Sequence, residues 1–338
     1  MMPSSTAAPI PQEPIQSQPR QFTSPERPQN SSDWALKAVV VTLLLPYEII
    51  CLINETVKAI LFYTVQHILM GATLMHRSHV QGRIDHLKET YGSEPLTLIT
   101  QDAVALSAMH FVARDKDAQN ATVVLCVGND ASVFDSKYEQ TIQAYLSRGV
   151  NVMCFDYRGV GLSQGTFSEN GSYNDGKVAV EYVKHLGVPH EKILIEGYSM
   201  GSGPATYLAG LFERTHLLLR CPFAKMSDVG RAHQERQGTN LPLRFLTRIA
   251  IDYVLEYDNI AKIHKVAGHV GIITAPYDFE LQEERCQHGR RLVEAYRQRE
   301  GMHTITYEEA AGNHYSQYTR EERLSSALDE FLKRINFT

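Results

Sequence analysis

Two stretches of this 338-residue chain, "GLSQG" at 161–165 and "GYSMG" at 197–201, share the pattern Gly-x-Ser-x-Gly. Small residues on both sides let a serine sit on a sharp strand-to-helix turn with its hydroxyl exposed, which is how a nucleophile is presented. Glycine and serine are common in any loop, so the flanking sequence has to choose between the two copies. Ser199 follows the apolar run "KILIE" and precedes a helical segment in which Gly203 and Ala205 allow close packing. The free N–H groups at such a helix start favour an oxyanion. Ser163 also follows a strand, but the next residues are "TFSENGSYNDG", a run of turn formers. Ser199 is therefore the candidate nucleophile, and Ser163 is expected to be a locally hydrogen-bonded loop residue.

A serine hydroxyl is a weak nucleophile at neutral pH and needs a histidine base, itself oriented by a carboxylate. In an α/β sheet these groups are expected in the order Ser, Asp or Glu, His, each at the carboxyl end of a strand. Asp278 in "GIITAPYDF" and His314 in "EEAAGNHYSQY" meet both conditions. A turn-capping role for Asp278 and a solvated loop position for His314 are the plainer alternatives. Glu280 is a reserve acid and His303 a reserve base. Backbone N–H groups of Met200, directly after the serine, and of Asn129, in the loop after "ATVVLCVG", are the expected oxyanion donors, chosen by position alone.

The elements that must position these residues begin near residue 95. "PLTLIT" and "VALSAMHFVAR" read as two strands with an antiparallel start, followed by the buried strand "ATVVLCVG". Helical segments then alternate with the strands "VNVMCFDYRG", "KILIEG", "HLLLRCPF", "HVGIITAP" and "MHTITYEEA". One continuous helix is expected over "LQEERCQHGRRLVEAYRQRE", and a last one from about Arg320 to Ile335. This alternation implies a doubly wound, mostly parallel α/β sheet over 95–338. The irregular stretch 225–265 is expected to form a short lid, with Phe245, Leu246, Ile249 and Tyr253 on one helical face; ordinary core packing accounts for that spacing equally well.

Residues 1–33, rich in Pro, Gln and Ser, read as a disordered tail. Such tails also begin secreted bacterial effectors, and a plain flexible leader fits equally. The bilobed segment 34–75 is apolar all round, with lobes at 38–53 and 59–75. Each lobe falls short of the ~20 residues that cross ~30 Å of hydrocarbon, and Pro46, Glu48, Gln66 and His67 interrupt them. A membrane-associated helical hairpin is expected here, the alternative being an extension packed on the globular domain. Residues 76–94 read as a connector whose Arg77, Arg83 and Lys88 favour a cytosolic side for the rest of the chain. Acidic residues outnumber basic ones 38 to 33, which excludes a general nucleic-acid binder. The five cysteines form no CxxC or Cys/His cluster, so reduced thiols without metal are expected. No cofactor is called for.

Taken together, "DYRGVGLSQG", "GYSMGS", "PYD" and "GNH" resemble the α/β-hydrolase superfamily, and within it the Bem46-like branch of membrane-linked serine hydrolases. The apolar hairpin ahead of the domain is also similar, more weakly, to the chlamydial 43 kDa-type hydrolase family. The resemblance implies Ser199 as nucleophile, His314 as base, Asp278 as its acid, and Met200 with Asn129 as oxyanion donors. Two departures touch loop geometry and substrate choice: Val127-Gly128 and Thr274-Ala275 stand where these hydrolases often carry His-Gly. The expected chemistry is hydrolysis of an ester, thioester or amide in an acyl-containing small molecule, lipid or acylated protein. The alternative is a catalytically silent, membrane-attached interaction protein on the same scaffold.

Overall fold

Among the described residues, five strands are buried at every position: β3 (Thr122–Cys126), β4 (Asn151–Phe155), β5 (Ile193–Tyr198), β6 (His216–Arg220) and β7 (Val270–Ile273). A strand of that kind needs cover on both faces, which parallel crossovers through helices provide. The computed structural model describes residues 77–129, 132–237, 257–298 and 304–337. Its eight-stranded sheet has the order β1-β2-β4-β3-β5-β6-β7-β8, with β1 (Pro95–Ile99), β2 (Ala105–Phe111) and β8 (Ile305–Glu308) completing it. β2 runs antiparallel to both β1 and β4, and every other neighbouring pair is parallel.

The chain leaves β3 for β4 on one side and returns to β5 on the other. That reversal opens a crevice at the carboxyl ends of β3 and β5, the place where open α/β sheets hold ligands. Around the sheet lie α1 (Arg77–Tyr91), α2 (Ser136–Leu146), α3 (Glu169–His185), α4 (Ser202–Leu211), α5 (Met226–Gln237), α6 (Ile260–Ile263), α7 (Glu283–Cys286), α8 (His288–Arg297) and α9 (Glu322–Arg334). Local chemistry starts two of them. The Asp135 side chain accepts from Lys137 N at 3.1 Å ahead of α2, and Ser168 Oγ accepts from Gly171 N at 3.0 Å ahead of α3.

The structure differs from the sequence reading in two places. The stretch read as a connector is mostly α1, whose Val80, Ile84 and Leu87, at helical spacing, are buried in the core. Its Arg83 is committed internally, to the Glu139 carboxylate and the Phe134 carbonyl. The expected single helix after β7 is two, α7 and α8, because Gln287 takes a left-handed conformation with φ of 48°. The break has a local cause. The buried Glu283 carboxylate accepts from His288 N and Gly289 N, both at 3.0 Å, and so caps α8 from inside the preceding turn.

The tail at 1–33, the apolar segment at 34–75 and the helical run carrying Phe245, Leu246, Ile249 and Tyr253 lie outside the described residues. Among the described residues no helix is long and apolar enough to cross a membrane.

Candidate active site

Ser199 stands where β5 ends, with φ of 53°, opening a short 3₁₀ turn (Ser199–Gly201) that runs into α4. A non-glycine residue keeps that backbone only where its surroundings enforce it. Here two close approaches do so. A Cβ on Gly201 would lie 1.9 Å from the Cys126 carbonyl oxygen, so the turn is pressed against the end of β3. A Cβ on Gly197 would lie 2.6 Å from Ala205 Cβ and 2.7 Å from Ser202 Cα, so α4 packs directly onto β5. Both glycines of the motif are thus required by contact.

Asp278 follows β7. Its N–H is bonded to Ala275 O at 3.0 Å, and its Oδ1 accepts from Leu281 N at 3.0 Å. Those bonds fix the carboxylate so that Oδ2 faces His314 Nδ1 at 2.6 Å. Because a carboxylate only accepts, Nδ1 carries the proton and Nε2 presents a lone pair. Nε2 lies 3.0 Å from Ser199 Oγ, within reach of the hydroxyl proton. The three residues are 3–7% exposed, dry enough to strengthen these bonds while leaving the serine reachable. The structure therefore brings Ser199, His314 and Asp278 from three separate strand ends into one relay. It does not bring in Glu280, which is exposed, and His303 lies outside the described residues.

Met200 is the first residue after the serine and lies in the turn that begins α4. Asn129 belongs to the loop after β3, two residues past Val127, whose carbonyl, like that of Cys126, lies against Gly201. Farther along, Ser132 and Val133 are held by a residue the sequence reading did not single out. Asp156, at the end of β4, accepts from Ser132 Oγ and from Val133 N, both at 2.7 Å. Burial pushes its carboxyl up to about 6. A lone aspartate directly after a wholly buried strand, as in "CFDYRG", is the signal that marks it.

The second Gly-x-Ser-x-Gly copy has a structural task. Ser163 Oγ donates to Asp156 O at 2.8 Å and accepts from Ser107 N at 2.9 Å, linking its loop to β2. Nearby, Arg158 is bidentate to Asp102 at 2.6 and 3.0 Å and bonds the fully buried Asp175 through Nε at 2.9 Å. The "DYRGVGLSQG" loop is thereby pinned at both ends.

Cys221, Asp278 and His314 place a thiol, a carboxylate and an imidazole within 4.8 Å of one another, a set of types that could hold a metal. The carboxylate and imidazole are already joined by their hydrogen bond, and burial pushes the Cys221 thiol well up, disfavouring the thiolate a metal needs. The described cysteines are free thiols. At the rim, Tyr277 and Phe279 flank Asp278 and Tyr315 follows His314; they are 67%, 71% and 55% exposed.

No family model matches the chain. It is 31% identical over 166 residues to the uncharacterised protein Rv2307c of Mycobacterium tuberculosis, which covers 49% of this chain and 56% of that one. It is 29% identical over 151 residues to the uncharacterised membrane protein YNL320W of Saccharomyces cerevisiae, covering 41% and 50%. The chain thus spans about half the length of these relatives. Among solved structures, an α/β hydrolase of Vibrio vulnificus superimposes with a TM-score of 0.61 at 20% identity, covering 78% of this chain and 88% of that one. The esterase Pf2001 of Pyrococcus furiosus gives 0.59 at 20% identity, covering 73% and 93%. With this strand order, and a serine of positive φ between β5 and α4, the chain carries the α/β-hydrolase fold.

Proposed function

We propose that the protein is a serine hydrolase that cleaves an ester, thioester or amide through an acyl-enzyme. The observation that carries this reading is the relay from Asp278 Oδ2 through His314 to Ser199 Oγ, at 2.6 and 3.0 Å, on a strained elbow. Ser199 Oγ attacks the substrate carbonyl carbon while His314 Nε2 takes the hydroxyl proton. The carbonyl oxygen becomes an oxyanion facing the N–H groups of Met200 and Asn129. Collapse breaks the bond to the leaving group, which receives the proton back from Nε2, and leaves the acyl group on Ser199. Water then attacks the acyl carbon with His314 again as base; the bond to Ser199 Oγ breaks, Oγ takes the proton back from Nε2, and the acid departs. Asp278 holds the tautomer and stabilises the imidazolium at each transfer.

The exposed aromatic rim supports a substrate with an apolar acyl part, such as an acyl lipid or an S-acylated protein. The all-round apolar segment at 34–75 supports work beside a membrane, and the basic Arg77 and Lys88 that follow it support a cytosolic side for the hydrolase domain. Similarity to the yeast membrane protein YNL320W, and the "DYRGVGLSQG" and "GYSMGS" motifs, support the Bem46-like branch. The test is turnover by the full chain of p-nitrophenyl esters and acyl thioesters of graded chain length. Turnover that rises with acyl length and is lost in Ser199→Ala is expected; no turnover of any member by folded protein refutes the reading.

A further inference from the structure

A buried polar network lies under the loop of His314, and its placement follows from the sheet register. Residues two apart on a strand share a face, so Glu196 and Tyr198 of β5 point the same way. Tyr198 is paired across the ladder with Arg220 of β6, which puts Arg220 on that face too. Arg220 is 1% exposed. Its Nε donates to Glu196 Oε1 at 3.1 Å, its Nη2 reaches Thr141 Oγ1 of α2 at 3.4 Å, and its guanidinium lies 4.3 Å from the Tyr198 ring centre and 5.0 Å from that of Tyr318. Glu196 also accepts from Tyr318 OH at 3.2 Å and from Tyr145 OH. The charges are matched, and the aromatic hydroxyls satisfy the remaining carboxylate valence.

Two bonds of this network end on the loop that carries the imidazole. Tyr198 OH donates to the carbonyl of His314 at 2.8 Å, and Arg220 Nη1 donates to the carbonyl of Ser316 at 2.9 Å. The loop closes on itself above them: Asn313 N donates to Ser316 Oγ at 2.8 Å, and Asn313 Oδ1 accepts from Tyr315 N at 2.8 Å. Tyr198 is also the residue whose backbone leads directly into Ser199. One side chain therefore spans from the nucleophile's own strand to the backbone of the base. A buried ion pair is by itself weak evidence of stabilisation, since apolar replacements of similar volume are often neutral or better.

We propose that Tyr198 and Arg220 are positioning residues that hold the His314 imidazole at hydrogen-bonding height over Ser199, with Glu196 keeping the Arg220 charge compensated. This rests on the serine-hydrolase reading and adds a cause for the 3.0 Å separation of Nε2 and Oγ. The two bonds restrain the loop from its inner side, while Asp278 restrains the ring from its Nδ1 edge. Tyr198 and Arg220 are 5% and 1% exposed, so their loss is expected to act on turnover through His314 rather than on the binding of the acyl group.

The experiment compares the full chain with Tyr198→Phe, Arg220→Met and the double variant Glu196→Gln with Arg220→Met. It reads kcat and KM on a short-chain p-nitrophenyl ester, fluorophosphonate labelling rate and thermal midpoint. Tyr198→Phe keeps the ring and the fold; kcat is expected to fall about tenfold with KM unchanged. Arg220→Met is expected to lose about a hundredfold in kcat and also thermal stability, through the stranded Glu196. The double variant is expected to regain the stability and not the turnover. Wild-type kcat in Tyr198→Phe, or turnover that returns with stability in the double variant, overturns the proposal. Absence of labelling in the wild type would instead overturn the hydrolase reading on which it rests.

Discussion

Gly201→Ala is the sharpest single-atom perturbation of the elbow. The added Cβ would sit 1.9 Å from the Cys126 carbonyl oxygen and 2.7 Å from that of Val127, both backbone atoms at the end of β3. Real Cβ contacts stay above 3.0 Å, so the turn and the strand end must part by about 1.1 Å. No side chain can swing away to relieve this. Overpacking of that kind costs about 1–3 kcal/mol, a fall of roughly 2–12 °C in thermal midpoint for a domain of this size. A displacement near 1 Å at the reacting atoms costs about a hundredfold in rate. Moving the elbow from β3 also separates Met200 from the loop of Asn129, so the loss should fall on kcat. Labelling by a fluorophosphonate probe, followed against time beside a thermal melt, measures both effects. Wild-type labelling and an unchanged melt in Gly201→Ala would refute the close-approach argument.

Further perturbations test other joints of the structure. Asp278→Asn should leave the fold intact and lower kcat by about 10³–10⁴, because the Nδ1 proton loses its acceptor and the tautomer changes; steady-state kinetics check this. Arg158→Met strands Asp175, which is wholly buried, and should cost about 3–5 kcal/mol in urea unfolding. His110, whose Nε2 is buried without a partner, has its imidazole pushed down to about 4 by burial. A depressed histidine contributes stability that is present above its unfolded value near 6.5 and is lost as pH falls toward 4. His110→Phe should therefore stabilise the protein, with a gain that grows between pH 6.5 and 4 in denaturant melts. A gain that is flat with pH would contradict the burial argument.

Much of this arrangement was legible in the sequence because it follows from short-range rules. Largely apolar runs marked the parallel strands, and the strand-turn-helix context of Ser199 set it apart from Ser163. Asp278 and His314 were legible as polar residues at successive strand ends, since the fold exposes those ends on one rim. What stayed hidden depends on contacts between residues far apart in the chain. The register pairing Tyr198 with Arg220 leaves no local pattern, and the bond from Tyr198 to His314 spans 116 positions. The break at Gln287 arises from a carboxylate folding back onto two N–H groups, which a helical spacing rule passes over. In α1 the apolar spacing of Val80, Ile84 and Leu87 was present in the chain, but a basic, polar stretch masked it.

The proposed chemistry needs a hydroxyl made nucleophilic by an imidazole 3.0 Å away. Fluorophosphonate treatment of the full chain, followed by peptide mass mapping, tests this most directly. One covalent adduct is expected, on Ser199, and it should disappear in His314→Ala while the protein remains folded. An adduct on Ser163, or none on Ser199 in folded protein, would contradict it.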